Sequence, residues 1–266
     1  MKKLSRVYLV LVFIVLYLPI LYLIAYSFSQ GTTMTNYHGF TWQHYRDLFA
    51  DPRMLAIVAD TLLVALLSSL IATLIGTLGA LSIHRTSKRV TRDVLLSLNN
   101  ILMVSPDVII GASFLIFFTT LKVPLGFTSV LLSHIAFEIP IVVLMILPRL
   151  REMSPSLLCA AADLGATTRQ QLNKIIIPFI TPGIMAGFFM ALTYSLDDFA
   201  VTFFVTGNGF STLSVEIYSR ARQGINLEIN ALSGVMFIFS LLLVGGYYLL
   251  QQGNAKRRQR SQEAAQ

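Results

Sequence analysis

Two aspartates, Asp197 and Asp198, stand side by side in the stretch "SLDDFAVTFFVTG", between apolar runs that suit a lipid bilayer. An ionised carboxylate at mid-bilayer costs about 2.5–3.5 kcal/mol on insertion scales. Asp107 and Glu138 also fall near the middle of apolar runs, whereas Asp60 lies nearer the end of its run. No Lys or Arg occupies a comparable depth in the sequence. Such acids must face a water-filled cavity, take up a proton, or meet a cation from elsewhere. A carboxylate-lined cavity attracts cations and repels anions. Tyr194, Phe199, Phe203 and Phe204 lie beside the pair, and their ring faces suit a flexible chain of ammonium groups and methylenes. On a continuous helix, neighbouring side chains point about 100° apart. One aspartate can therefore line a path while the other caps a neighbouring helix or meets a partner subunit. The competing reading is a hydrogen-bonded acid that holds two helices together. Asp107 follows Pro106, where a local break would expose backbone carbonyls as further cation ligands. Glu138 lies two residues before Pro140. His134 reads as a packed or hydrogen-bonded histidine. His38 and His44 lack metal-ligand spacing and read as outer-surface residues.

The elements that must position these residues follow from hydropathy. The chain has 266 residues, 55% hydrophobic and 12% charged, with a mean hydropathy of +0.70. A soluble domain of this length would carry far more charge, so the class is integral membrane protein. Six segments are long enough to span a bilayer, at about 7–29, 55–83, 94–121, 126–148, 179–206 and 229–251. None alternates as a barrel strand does, so the expected fold is an all-α, six-helix polytopic bundle. The first run is too long for a signal-peptide core and lacks a small-residue cleavage site, so it is expected to stay attached. The single cysteine, Cys159, excludes an intrachain disulfide framework and a Cys-based zinc site.

The net charge of +7 reflects topology. With the N-terminus inside, fifteen of the 20 Lys and Arg residues fall in inner segments. Only Arg46, Arg53, Lys122, Arg220 and Arg222 fall outside, which favours both termini in the cytoplasm. Residues 1–6 then form a cytoplasmic N-terminus, 7–251 the membrane domain, and 252–266 a basic anchor with a disordered end. Position alone explains that basic tail, so no nucleic-acid partner is expected.

Two connections exceed a turn. The outer one, about 30–54, contains "FTWQHYRDLF", whose alternating aromatics suit the membrane interface or an external partner. The inner one, about 149–178, reads as a short helix–turn–helix outside the bilayer. Ser154 is its expected cap, Pro155 its first turn and Gly165 its bend. It is either a surface connector or a docking element.

Within that inner segment, "CAAADLGATTRQQLNKIIIP" resembles the EAA loop of ABC importer permeases. The matching positions are Cys159-Ala160-Ala161, Asp163, Gly165 and Pro178, with Cys159 in place of the leading Glu and Ile177 in place of the usual Leu. "SPDVIIGASFLIFF", "LSHIAFEIPIVV" and "SLDDFAVTFFVTG" look like the polyamine branch, the spermidine/putrescine importers, and the resemblance covers about 7–251. It implies a type I (MetI-like) permease of the bacterial cytoplasmic membrane, with 149–178 as the ATPase-coupling loop. It also implies a homologous second permease, two cytoplasmic ATPase subunits that bind ATP and Mg, and an external or periplasmic substrate-binding protein. The chain has no G-x-x-x-x-G-K-[ST] loop, so it should not bind ATP by that route, and no cofactor or catalytic residue is expected in it. Another cationic or zwitterionic solute, or an iron complex, fits the same architecture. A proton-coupled secondary carrier would also use membrane acids but would not need the 149–178 loop. A membrane enzyme lacks support, because no nucleophile–base or metal-ligand cluster is evident.

Overall fold

The computed structural model describes residues 2–31, 34, 36–223 and 227–263. Helices dominate throughout, because a backbone in lipid must satisfy its polar groups internally. In chain order they are α1 (Lys2–Tyr26), α2 (Gln43–Ala50), α3 (Pro52–Arg85), α4 (Arg89–Val104), α5 (Asp107–Thr120) and α6 (Phe127–Glu152). There follow α7 (Pro155–Asp163), α8 (Thr168–Gln171), a π-helical turn (Leu172–Ile176), α9 (Ile177–Asp197), α10 (Ala200–Val205), α11 (Leu213–Gln223) and α12 (Leu227–Glu263). Among the described residues the sheet-like pairing is one isolated antiparallel bridge, Ser29 with Phe40.

Five stretches are long and apolar enough to cross a membrane: Arg6–Tyr26, Pro52–Arg85, Phe127–Glu152, Thr168–Asp197 and Leu227–Gly246. A sixth exists only if α4 and α5, bent by 102°, count together. The expected span at 94–121 is thus two helices broken at Pro106, the position where the sequence allows a local break. Pro106 supplies no N–H, and its ring pushes Ser105 into an extended conformation (ψ 139°). The expected span at 179–206 is corrected. Its helix starts earlier, at Thr168, and ends at Asp197, with α10 a separate short helix. The π turn lies just before Pro178 and widens the helix where a proline ring would otherwise press on the carbonyl of Lys174. The expected disordered end is also revised, because helix continues through Glu263. Residues 264–266 of that tail lie outside the described residues.

The helices fall into two compact units. The larger, Ala59–Val215, is built around α6, whose membrane stretch is the most buried of the five. On one side α6 packs against α9 through Val142, Ile146, Leu150 and Ile180. On the other, Val130 and Phe137 of α6 meet Val64 of α3, Ile110 and Phe118 of α5, and Val201 and Val205 of α10. Gly111 allows α5 to approach α10 closely. A Cβ there would lie 2.8 Å from the Phe204 ring and 3.0 Å from the Ala200 carbonyl oxygen and Val201 Cα.

The smaller unit comprises Met1–Val58 and Glu216–Gln266. Phe28 stacks on Phe40 and Tyr45 and meets Trp42 edge-on, with centroids 5.0–5.3 Å apart. Ser27 Oγ lies 2.8 Å from the Tyr45 hydroxyl. Arg220 is within ion-pair distance of Asp51, Glu216 and Glu228, and Arg53 reaches the other oxygen of Glu216. The "FTWQHYRDLF" segment therefore forms a ring cluster plus the short helix α2, and its Phe40, Trp42 and Phe49 remain exposed.

Candidate functional site

The acids flagged in the sequence lie at or beside two helix breaks of the larger unit. At the first, Asp107 opens α5 directly after Pro106 and is exposed. The Pro106 carbonyl accepts from Ile109 and Ile110 at 2.9 and 3.2 Å, so the break is closed locally by α5 itself. The Tyr194 hydroxyl of α9 donates to Asp107 Oδ1 at 3.5 Å. Tyr194 packs edge-on against Phe137, with ring centroids 5.6 Å apart.

The second break divides the aspartate pair. Asp197 ends α9 and is exposed. Asp198 turns extended (ψ 119°), and its side chain is buried. Its carboxylate accepts from the Val201 N–H at 3.3 Å, the Thr202 N–H at 2.8 Å and the Thr202 hydroxyl at 2.7 Å. The two N–H groups belong to the unpaired first turn of α10, so Asp198 caps that helix from just outside it. Its own carbonyl accepts from Ser214 Oγ at 2.6 Å.

Behind Asp198 lies a buried polar chain. His134 Nε2 is 2.8 Å from the Thr202 hydroxyl, and Nδ1 is 2.6 Å from the Ser195 hydroxyl. Thr202 gives its proton to Asp198, so Nε2 donates to the Thr202 hydroxyl, and Nδ1 shares a hydrogen bond with Ser195. Ser195 in turn lies 3.2 Å from Ser68 Oγ, which donates to Glu138 Oε1 at 2.8 Å. The imidazole also stands 3.6 Å from Asp198 Oδ2 and 3.9 Å from Glu138 Oε1. Glu138 is fully buried, and its Oε2 has no hydrogen-bond partner.

The seven candidate path residues, Asp107, Glu138, Tyr194, Asp197, Asp198, Phe199 and Phe203, therefore divide by environment. Asp107, Tyr194, Asp197 and Phe203 are exposed, and Phe199 is half-buried. Phe199 and Phe203 pack together with centroids 5.4 Å apart. Asp107, Asp197 and Asp198 all lie within electrostatic reach of the Tyr194 hydroxyl. Glu138 and Asp198 are buried instead and match the competing reading of hydrogen-bonded acids, with no Lys or Arg beside them among the described residues. The partners are hydroxyls and one imidazole. Ser68, Ser195 and Thr202 were not singled out in the sequence. The i,i+4 spacings of His134 with Glu138 and of Asp198 with Thr202 were the available signals.

The inner connection forms a separate feature. Ser154 stands at the N-cap of α7, but its side chain makes no capping bond; its hydroxyl pairs with Ser156 at 2.7 Å. The α7 C-terminus is a Schellman turn. Ala166 N–H bonds the Ala161 carbonyl at 2.9 Å, Gly165 N–H bonds Ala162 at 2.8 Å, and Gly165 has φ +77°. Thr167 and Gln170 then form a reciprocal capping box that starts the next helix. Cys159, Ala160, Asp163, Gly165 and Pro178 are exposed, and Ala161 is half-buried. Leu164 is 89% exposed.

Residues 72–260 match the model of the binding-protein-dependent transport system inner membrane component family. The chain belongs to this family. The permease is 36% identical over 241 residues to the spermidine/putrescine transport system permease protein PotC of Escherichia coli (strain K12), covering 91% of each chain. It is 33% identical over 259 residues to the putrescine transport system permease protein PotI of the same strain, covering 94% of this chain and 92% of that one. Among solved structures it is similar to a bacterial ABC transporter involved in the import of the acidic polysaccharide alginate. That match has a TM-score of 0.72 at 18% identity and covers 94% of this chain and 97% of the other. The inward-facing MetNI methionine ABC transporter gives a TM-score of 0.58 at 18% identity, with 77% and 96% covered. The permease therefore has the all-α, multi-pass MetI-like fold. It is a transport subunit of the ABC class, and membership implies an ATPase partner and a substrate-binding protein.

Proposed function

We propose that this permease passes polyamines such as spermidine and putrescine through the cytoplasmic membrane, inward, on energy from a partner ATPase that binds ATP and Mg. The observation that carries the reading is the exposed pair Asp107 and Asp197, from two different helix breaks, both within electrostatic reach of the Tyr194 hydroxyl. Two carboxylates separated by an aromatic surface suit ammonium groups separated by methylenes. Fold alone does not choose the cargo, because a likeness to an alginate importer sits beside these acids. The names of the PotC and PotI relatives point the same way as the acids.

In this reading a homologous second permease completes the cavity and an external binding protein delivers the cargo. Two ATPase subunits sit on the cytoplasmic side, where both termini lie. The α7–Gly165 segment, resembling an EAA loop, presses into an ATPase cleft. Nucleotide-driven closure then moves the spans as bodies and switches the cavity between outward and inward access.

The test is uptake of radiolabelled spermidine by cells lacking their own importer and expressing the whole complex with Asp107→Asn or Asp197→Asn. Assembly and ATPase activity are measured in parallel. Uptake should fall while assembly survives. Unchanged uptake in both variants would remove the acids from the path. Competition by putrescine, spermidine and arginine separates polyamines from other cations, and uptake that survives without ATP but collapses with a protonophore would instead indicate a secondary carrier.

A further inference from the structure

At the end of the larger unit formed by the α3 C-terminus, the α4 N-terminus, the end of α6 and the start of α7, a cavity of about 520 Å³ opens. Its inner wall is apolar, with Ile83, Leu147 and Met153 buried. His84, Arg92 and Arg151 line the same cavity and are exposed. A second hollow of about 370 Å³ shares His84, Met153 and Leu158 with the first and adds Arg85. No carboxylate lines either hollow among the described residues. Asp93 touches the rim from outside, 3.9 Å from Arg92 and 3.7 Å from Arg89. Arg151 has no carboxylate within ion-pair distance among the described residues.

Basic residues at the ends of spans are ordinary topology signals. Topology requires only that the charge lie on one side. It does not require two guanidinium groups, from α4 and α6, to converge with the His84 imidazole of α3 on one concave site with an apolar wall. That combination suits an amphiphilic anion. A phosphate diester would bridge the guanidinium groups, and the glycerol and first methylenes would lie along the wall. Free phosphate would use the rim and leave the wall unfilled. The volume falls in the range of sites that enclose small ligands.

We propose that this cavity binds the headgroup of an anionic phospholipid and that the bound lipid braces α7, whose Pro155 and Leu158 complete the lining, against the membrane spans. Placing the lipid in the inner leaflet rests on the orientation given under the proposed function, whereas the cavity and its charge do not.

The test uses the complete purified transporter complex in nanodiscs of phosphatidylcholine, with or without phosphatidylglycerol. The first readout is phosphatidylglycerol retained by the complex after exchange into detergent. The second is ATPase activity stimulated by the binding protein. Wild type should retain phosphatidylglycerol in preference to phosphatidylcholine and be more active with it. The Arg92→Gln, Arg151→Gln double variant should retain it roughly fivefold less per arginine removed, and its activity should no longer respond to the lipid. A Lys88→Gln, Arg89→Gln control removes equal charge outside the lining and should behave as wild type. A wild-type complex that shows no preference overturns the proposal without recourse to any variant. Equal loss in the control assigns the effect to general surface charge and also overturns it. Inorganic phosphate that restores activity in phosphatidylcholine alone makes the ligand a free anion, and retention seen only after the ATPase is stripped away assigns the surface to that partner. Either result rejects the lipid site.

Discussion

Asp197 and Asp198 are adjacent in the chain and end in opposite environments: Asp197 is exposed at the last turn of α9, and Asp198 is buried against Thr202 at the start of α10. The helix break between them turns the Asp198 carboxylate onto the start of α10 and leaves Asp197 on the last turn of α9. The two carboxylates should therefore answer differently to the same substitution. Asp198→Asn replaces an oxygen that accepts from the backbone and hydroxyl of Thr202. Hydrogen bonds to charged groups are worth about 1.5–3 kcal/mol, so the thermal unfolding midpoint in detergent should fall. Asp197→Asn should leave that midpoint near wild type and lower spermidine uptake about tenfold, the equivalent of one charge-assisted contact. Equal losses of stability in both variants would contradict the division.

His134 joins the hydroxyls of Ser195 and Thr202 at 2.6 and 2.8 Å, and so ties α6 to α9 and α10. His134→Ala leaves both hydroxyls without that partner and opens a buried void. The expected cost is about 3 kcal/mol, read as a lowered unfolding midpoint of the assembled complex. Ser68→Ala leaves the His134 bonds in place, removing the bond to Glu138 and the longer contact with Ser195, and should cost less, about 1 kcal/mol. A larger effect from Ser68→Ala would place the joint on the Glu138 side.

Gly111 offers a sharper steric test. Two of the three atoms nearest a built Cβ are backbone atoms of Ala200 and Val201, which cannot rotate aside. Gly111→Ala should therefore separate α5 from α10 and cost about 1–3 kcal/mol. Gly209→Ala is the useful contrast: nothing lies within 4 Å of its Cβ position, so any cost there comes from its φ of +92° alone. Unfolding midpoints of the two variants separate packing from backbone strain.

The residues themselves explain how much of this was legible in the sequence. Apolar runs marked the spans, because hydrocarbon length sets helix length directly. The break at Pro106 was readable because proline removes an N–H. The break after Asp197 was not located, because "FAVTFFV" continues the apolar run without proline or glycine. Its cause is the side chain of Asp198, which competes with the backbone for the N–H groups of Val201 and Thr202. Exposure of the acids was equally hidden. Asp198 and Glu138 are buried by partners as distant in the chain as Ser68 and His134, and no local pattern announces such pairs. Ser154 and Pro155 hold the cap and first-turn positions read from the sequence, but the Ser154 hydroxyl bonds Ser156 instead of the helix N–H groups.

Gly165 allows the proposed coupling role of α7 to be tested without confusing docking with folding. Its φ of +77° strains most side chains, yet nothing in this chain lies within 4 Å of where a Cβ would stand. Asparagine tolerates the left-handed region better than other residues. Gly165→Asn should therefore keep the turn and leave stimulated ATPase activity near wild type. Gly165→Trp projects bulk into the space that a cleft of the ATPase would occupy. That variant should assemble poorly or lose most stimulated activity and uptake. Leu164→Ala should weaken coupling in the same direction, because a leucine 89% exposed beside the turn loses apolar contact only if something covers it. If the tryptophan variant forms a complete complex with normal stimulated ATPase and uptake, α7 is a surface connector, and movement must reach the spans by another contact.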